Sequence, residues 1–364
     1  MLQPILAAVL TLVSGAGPVR PPRSPAPEVQ LKVEIDSAHH QVLITSGPFF
    51  LPNMPPMEDH GMMDLGASHD TPVQRFQWPV DGWFRGFRLE VRDADGKQLP
   101  RHILHHMIMV NYDRRQLLYQ AAERLMGAGT ETDDATIPAT IGIPLRPGTN
   151  LGFYIAWHND TGKDLDGVYL RLAFQYLPKN QNPRPKDVLP IYMDVNLTIG
   201  GTNTFDVPAG PSTKAYEFTV PTGGRLLGLG GHLHDYGRMV RLEDAETAKE
   251  IARVVATLDA AGHIVKVSRR LPGVSGEGIR LRADHKYRVV AVYDNPTGEN
   301  IKNGAMASIV GIFAPDNLAA WPKMDPADPT IQRDLASLDE RGKPMADMEG
   351  TDHMDMEHMQ HDHQ

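Results

Sequence analysis

The sequence predicts an all-β protein built from two antiparallel jelly-roll or β-sandwich domains in tandem. Short segments alternate apolar and polar residues at a period of two, which is the side-chain period of a half-buried strand. The chain contains 30 prolines and 33 glycines, which supply many turns and interrupt long helices. Its 364 residues exceed the size of one small core, so the length favours two domains.

The first domain is expected over residues 29–180, after a signal peptide and flexible lead-in at 1–28. Its predicted strands lie at 29–35, 41–44, 83–91, 103–110, 151–158 and 168–174. Residues 116–126 are expected to form one short helix that ends at Gly127 and Gly129. A turn is expected at 159–162, between the last two strands.

The domain boundary is expected within residues 177–188, where three prolines and several polar residues are typical of a linker. The second domain then covers 181–316. Its predicted strands lie at 191–195, 216–220, 225–229 and onward, 239–242, 287–293 and 306–313. Apolar periodicity is lost after about residue 316, so residues 317–364 are expected to be a disordered tail rich in Met and His.

Composition excludes several classes of function. A formal net charge of −9 argues against nucleic-acid binding, and no segment approaches the roughly 20 apolar residues that a bilayer span requires. Residues 5–13 have the length of a signal-peptide core and precede the small residues Ser14 and Ala16, so we expect export to the periplasm or beyond the cell. An apolar edge strand is the alternative. Because the chain has no cysteine, any metal site must use His, Met, carboxylate or backbone.

One candidate metal site is formed by His232 and His234. Side chains two apart on a strand point to the same face, so these imidazoles can bind one ion, and the glycines on either side leave that face uncrowded. Met306 is at the start of the last predicted strand, where methionine ordinarily fills a core. Beside two imidazoles, however, its thioether would make a soft site that favours Cu(I). Paired surface histidines without a metal are the alternative.

A second candidate site is formed by His105 and His106. Neighbours on a regular strand point to opposite faces, so both can bind one ion only if the strand bulges or ends there. His158 ends a strand in the same half and is a natural third ligand, while His102 competes for that role. The alternative is that one of the pair is buried and hydrogen-bonded and the other exposed.

Two further segments combine methionine and histidine. Residues 51–63 contain four Met and one His without periodicity, and residues 353–363 mix His, Met and acidic residues. Thioether and imidazole suit Cu(I), whereas imidazole and carboxylate suit Cu(II). We therefore interpret both segments as copper-collecting surfaces, with plain disorder and a solvated acidic tail as the alternatives.

These motifs together resemble a known family. A His-His-Met strand, a later strand ending in His, an H-x-H-x-x-G segment followed by a basic residue, and a distant strand Met are similar in order to the copper type II, ascorbate-dependent monooxygenases. These are the family of peptidylglycine alpha-hydroxylating and dopamine beta-monooxygenase. The resemblance covers roughly residues 80–315. It implies an electron-transfer copper on His105, His106 and His158. It also implies an oxygen-binding copper on His232, His234 and Met306.

The resemblance further implies two jelly-roll domains with one copper ion on each and a solvent-filled cleft between them. The expected activity is hydroxylation of an aliphatic C–H bond of a small-molecule substrate, with dioxygen and with ascorbate or a similar external reductant. Asp235 and Tyr236 are candidates to orient the ligand imidazoles. The alternatives are a periplasmic copper-binding or copper-delivery protein on the same scaffold, and a structural zinc protein, which would gain little from Met306.

Two departures from the family stand out. The animal enzymes contain disulfides, whereas this chain has no cysteine and would be a divergent member. The peptide hydroxylases bind a substrate carboxylate through an arginine and a tyrosine, and the corresponding positions here are Gly230 and Val310. A peptidylglycine substrate is therefore not expected, and the pocket is expected to be wider or more apolar.

Overall fold

The computed structural model describes residues 28–54, 69–129, 132 and 134–342. Residues 1–27 of the expected signal peptide and lead-in lie outside these ranges. The same holds for residues 55–63 of the Met-rich segment and for the whole of the His- and Met-rich segment at 353–363.

The described chain is all-β, which confirms the predicted fold class. In the first half the strands are β1 (Gln30–Asp36), β2 (Gln41–Leu51), β3 (His69–Asp70), β4 (Gln74–Gln77), β5 (Gly82–Arg92), β6 (Leu104–Arg115), β7 (Ala122–Gly129), β8 (Ala135–Thr136), β9 (Ile141–Leu145), β10 (Asn150–Trp157), β11 (Leu165–Pro178) and β12 (Lys186–Asp187). They form one sheet in the order β1-β2-β11-β5-β9-β12, with β8 beside β5, and a second in the order β3-β10-β6-β7, with β4 beside β10.

The second half follows directly. Its strands are β13 (Leu189–Asp194), β14 (Phe205–Val207), β15 (Gly210–Thr219), β16 (Gly224–Leu233), β17 (Gly237–Asp244), β18 (Glu250–Leu258), β19 (Ile264–Val267), β20 (Ile279–Leu281), β21 (Lys286–Asn295), β22 (Ile301–Ala305) and β23 (Ala307–Pro315). The sheets run β13-β23-β16-β20 and β15-β21-β17-β18-β19, with a short β14-β22 pair. Among the described strands, those up to Asp187 and those from Leu189 pair within separate sheets.

Two kinds of strand are visible in the burial pattern. β2 alternates half-buried and buried residues, as expected for a strand with one face on the core. β10 is buried on both faces from Leu151 to Trp157, so both sides of its sheet must be covered. One side faces the sandwich core. The other is covered by the segment that follows β23, where Leu338 packs with Val110, Ala122 and Tyr154.

That covering segment corrects the expectation of a disordered tail from residue 317. After β23 the chain forms helix α2 (Pro329–Asp339), and a shorter helix, α1 (Pro272–Ser275), precedes β20. Asp328 caps α2 by accepting hydrogen bonds from the backbone N–H groups of Thr330 and Ile331, and Pro329 occupies the first turn. The sequence analysis missed the helix because few of its residues are apolar; it is held by the buried side chains of Ile331 and Leu338 and by an ion pair of Asp334.

The ion pair joins Asp334, which is buried, to Arg124 of β7 through two hydrogen bonds of 2.7 Å. The backbone N–H of Ala122 donates a third to Asp334, at 2.9 Å. The indole N–H of Trp321 also donates to the carbonyl of Arg115, at 2.9 Å. Residues 317–342 are therefore part of the first sandwich, while the expectation for 343–364 lies outside the described residues.

The prediction of a short helix at 116–126 was also wrong. Residues 122–129 form β7, which pairs antiparallel with β6 through the register Met109↔Met126 and its neighbours. Pairing with a strand already in the sheet outweighed the local helical preference. None of the helices in the described part of the chain has the length and apolar character needed to cross a membrane.

Candidate metal centre

The His232 and His234 pair lies where β16 leaves the sheet. His232 is opposite Ser308 of β23, and Leu233 is opposite Ala307, so the next pair along is His234 and Met306. The backbone N–H of His234 donates to the carbonyl of Met306 at 3.3 Å, which continues the pairing past the last assigned strand residue. Residues directly opposite each other share a face, so His232, His234 and Met306 are directed to the same side of the sheet.

The spacing of the two rings fits one ion. Their centroids are 5.1 Å apart and the rings are nearly perpendicular, at 87°. An imidazole nitrogen binds a transition-metal ion at about 2 Å, so two rings on one ion have centroids no more than about 6 Å apart. His234 is buried, whereas His232 and Met306 are half-buried. Met306 is therefore not enclosed in the apolar core.

Backbone groups hold this arrangement in place. The Nδ1 atom of His234 lies 3.3 Å from the carbonyl oxygen of Gly304, and a carbonyl can only accept, so Nδ1 carries the proton and Nε2 keeps its lone pair. The hydroxyl of Tyr293 donates to the Met306 carbonyl at 2.6 Å. Burial raises the pKa of Tyr293, so its hydroxyl stays a donor.

The residues expected to orient the imidazoles have other partners. The Asp235 carboxylate binds the Nδ1 of His263 at 2.7 Å and accepts from the backbone N–H of Ile264 at 2.9 Å. Tyr236 is buried with a positive φ of 64°, and its N–H donates to the carbonyl of Gly262. Asp235 therefore supports the turn before β19. The imidazole of His234 is oriented instead by the Gly304 carbonyl, which no sequence motif indicated.

The His105 and His106 pair lies on a bulge, as two ligands on adjacent positions require. Between the pairs Ala156↔His106 and Trp157↔Leu104, β6 advances two residues while β10 advances one, which leaves His105 as the extra residue. The expected irregularity is therefore confirmed. Both histidines are half-buried and their ring centroids are 4.9 Å apart, which is also within the range for one ion.

His158 lies just past the end of β10 and is buried. Its backbone N–H donates to the carbonyl of Ile103 at 2.9 Å, and its position two residues after Ala156 puts it on the face of His106. The competing residue His102 contacts Asp160 at 3.1 Å and is half exposed. The alternation of the strands therefore favours His158 over His102 as the third residue of this cluster.

The three histidines nevertheless do not form a closed triad. Within the described residues, one group of three His and carboxylate side chains has all its potential ligand atoms within 4.8 Å of one another, namely Asp244, Glu246 and His285. Closing His105, His106 and His158 on one ion would thus require side-chain rotation.

That group of three has its own counter-ion. His285 Nε2 lies 2.7 Å from Asp244, and the guanidinium of Arg282 lies 3.0 Å from both ring nitrogens of His285. The side chain of Arg282 is also 3.5 Å from Asp244. Because His285 and Arg282 are already partners of the Asp244 carboxylate, we assign this cluster to structure. Its members lie up to 41 residues apart in sequence, and no motif links them.

The two histidine pairs lie on the two halves and influence each other. The pKa of His106 is held well below its usual range, first by burial and then by electrostatic effects of His105, His232, Arg341 and His234. A neutral imidazole is the form that binds a metal ion. Arg341, which follows α2, also lies over the ring of Tyr154 at 4.2 Å, and Tyr154 contacts His106 edge-on. The terminal segment is therefore a neighbour of this pair.

Fold and geometry together define a class: a two-sandwich β protein with a histidine pair on each half, one of them beside a methionine. No protein-family model matches the sequence, and no curated protein matches it either. Solved structures with a similar arrangement of strands include PNGase F, a glycosylasparaginase from Flavobacterium meningosepticum, at 10% identity and a TM-score of 0.36, covering 74% of this chain and 95% of that chain.

Two viral structures are similar to the same degree. The structure of Sulfolobus Turreted Icosahedral Virus has 11% identity and a TM-score of 0.35, covering 75% of this chain and 94% of that chain. The major capsid protein P2 from bacteriophage PM2 has 10% identity and a TM-score of 0.34, covering 74% of this chain and 98% of that chain.

Proposed function

We propose that this protein is a copper-dependent monooxygenase that hydroxylates an aliphatic C–H bond, using dioxygen and ascorbate or a similar one-electron reductant. The observation that carries the proposal is the position of Met306 opposite His234, on the face that also carries His232. A half-buried methionine beside two imidazoles is not explained by core packing.

The chemistry of this donor set favours copper over zinc. Two neutral imidazoles and a thioether form a soft, uncharged set that suits Cu(I), and zinc gains little from a thioether. Three protein ligands also leave a coordination position open to a small molecule. Copper bound there would supply the redox chemistry of dioxygen, and the protein would supply the geometry.

The remaining side chains have roles that follow from their contacts. The Gly304 carbonyl fixes which nitrogen of His234 is available, and Tyr293 fixes the backbone of Met306. The overall reaction joins R–H, O₂, two electrons and two protons to give R–OH and water. A one-electron reductant must deliver these two electrons in two steps. His105, His106 and His158 on the facing half are the residues proposed to hold the second copper ion, which would pass electrons to the site.

The decisive experiment counts copper and identifies its neighbours. The protein should be prepared without residues 343–364 and not cut earlier, because residues 317–342 pack against the first sandwich. We expect two coppers per chain, one with a sulfur neighbour by X-ray absorption in the Cu(I) state. Met306→Leu should remove the sulfur signal, while Met239→Leu, at another half-buried methionine of the same half, should keep it.

Turnover is tested on the same samples. Copper-loaded protein with ascorbate should take up oxygen in a manner coupled to a C–H substrate, and both His232→Ala and Met306→Leu should abolish this coupled uptake. A sulfur signal that survives Met306→Leu would contradict the proposed ligand set.

A second candidate is a copper-binding or copper-delivery protein without turnover, and one observation favours it. Both sides of the Met-rich segment are attached beside His158: the N–H of Met54 donates to the carbonyl of Asn159 at 2.7 Å, and His69 pairs with Trp157. In that case removing residues 343–364 should lower copper uptake while Met306→Leu leaves it unchanged. A loss of uptake confined to the Met306 variant would exclude this candidate.

A further inference from the structure

A crevice between the two halves lies on the same sheet face as His232. It has a volume of about 210 Å³, and its walls include Ile137 and Ile141 from the first half and Gly228, Leu271 and Ile312 from the second. Of the described residues that line it, Thr140 alone has a polar side chain. The crevice is therefore an apolar cavity at an interface, a usual place for a small-molecule site.

The strand register connects this crevice to the candidate metal centre. Along β16 and β23, Gly228 is opposite Ile312, Gly230 is opposite Val310 and His232 is opposite Ser308. These pairs are two residues apart, so they share one face. At about 3.3 Å per residue, the path from Ile312 to Ser308 is about 13 Å long. One elongated molecule can span this length along the sheet face.

Two positions along this path, Gly228 and Gly230, have no side chain, which leaves space on this face of the sheet. A Cβ on Gly230 would make ordinary van der Waals contacts with the Cγ of Arg269 at 3.7 Å and the Cγ2 of Val310 at 3.9 Å, so this position has room for a methyl group. A Cβ on Gly228 would lie 3.1 Å from the Cδ2 of Leu271, so Leu271 packs close beside that glycine. Val310 and Leu271 are large apolar residues with exposed fractions of 44% and 53%, which water would otherwise cover.

Two residues with ionisable or charged side chains border the path: Asp194, which pairs with Ser308 at the His232 end, and Arg269. The Cγ of Arg269 is the atom nearest to the position of a Gly230 Cβ, and its guanidinium donates to the carbonyl of Asp134 in the first half at 3.4 Å. The aliphatic stem therefore faces the path while the charge is directed to the other half. An acidic substrate would instead pair its carboxylate with this arginine.

We propose that the substrate is an elongated, uncharged aliphatic molecule, whose apolar chain occupies this crevice and whose reacting carbon lies over Gly230 and Val310 toward His232. This inference rests on the proposed function for the identity of the reaction, although the binding itself does not require copper. The substrate class is therefore an alkyl chain without a carboxylate or phosphate group to anchor it.

The test uses n-alkan-1-ols from butanol to decanol as probes, with binding to copper-free, full-length protein measured by calorimetry. Affinity should rise about fourfold per added methylene until the chain fills the crevice. Leu271→Arg should lower octanol affinity at least tenfold, and Gly228→Val should do the same by filling the space. Val265→Arg, at an exposed apolar residue that does not line the crevice, should leave it unchanged.

Two results would overturn the inference. One is an affinity that depends neither on chain length nor on Leu271. The other is octanoate binding more tightly than octanol and losing this advantage in Arg269→Gln, which would make the substrate an acid. If alkanols bind as expected but copper-loaded protein with ascorbate takes up no oxygen, the proposed function fails while the binding site stands. If His232 and Met306 bind copper and alkanols do not bind, the alkyl-chain binding site fails while the proposed function stands.

Discussion

The hydroxyl of Tyr293 donates a 2.6 Å hydrogen bond to the carbonyl oxygen of Met306. The same hydroxyl accepts a 3.3 Å bond from the backbone N–H of His234. One buried phenol thus joins the backbones of two candidate ligands that are 72 residues apart in sequence (306 − 234). It fixes their separation where β16 and β23 stop pairing.

Tyr293→Phe should therefore loosen this site. Removing the hydroxyl leaves a buried carbonyl with a weaker partner, which should cost about 1–3 kcal/mol in the free energy of unfolding. Copper affinity at the His232 and Met306 site should fall as well. Denaturant unfolding and Cu(I) competition titration measure the two effects. Tyr216→Phe, at a tyrosine that is 39% exposed, is the matched control and should change neither.

Adjacent glycines before His232 should respond differently to alanine. A Cβ on Gly231 would lie 2.7 Å from Val254 and 2.8 Å from the Ser308 carbonyl, so Gly231→Ala should overpack the core and cost about 1–3 kcal/mol. A Cβ on Gly230 would make only ordinary van der Waals contacts, at 3.7 Å or more, so Gly230→Ala should stay within about 0.5 kcal/mol of the wild type. If chemical denaturation gave equal losses of unfolding free energy for the two variants, Gly231 would not face the core as described.

The buried ion pair of the terminal segment can be tested by removing one partner. Arg124→Met leaves the Asp334 carboxylate buried without its guanidinium and should cost about 3–5 kcal/mol of stability. Combining it with Asp334→Leu should recover much of the loss. Lys179→Met breaks an exposed pair with Asp81 and should cost no more than about 1 kcal/mol. A small effect of Arg124→Met would mean that α2 does not depend on this contact.

The Asp244 carboxylate should make stability depend on pH in the acid range. The hydrogen bond with His285 is the main reason that the pKa of Asp244 falls to about 2 in the folded protein, against about 3.9 in an unfolded chain. Because the folded pKa is the lower one, the contribution is fully present above about pH 4 and is lost as the pH falls through about 2.

The measurement is the difference in unfolding free energy between wild type and Asp244→Asn from pH 5 to pH 2. This difference should shrink as the pH falls. In a His285→Gln background the pH dependence of the difference should be largely removed, since the main cause of the lowered pKa is gone. A difference that stays constant in the wild-type background would disprove the linkage.

Much of the fold could be predicted from local pattern. Strands such as β2, β10 and β21 can be recognised in the sequence. A strand buried on one face alternates apolar and polar residues, and a strand buried on both faces is a continuous apolar run. The bulge at His105 could be anticipated because adjacent side chains on a regular strand point to opposite faces and cannot bind the same ion. The Gly304 carbonyl and the Tyr293 hydroxyl could not, because no spacing in the chain marks them as partners of His234 and Met306.

The sequence by itself determined the all-β class, the two halves and the residue types available for chemistry, because these depend on local alternation and composition. Tertiary structure alone decided that residues 317–342 cover the first sandwich. It also decided that Met306 lies opposite His234 and that an apolar crevice lies between the two halves beside Gly228 of β16. The physical reason is the same in each case: these features depend on pairing and burial between segments far apart in the chain.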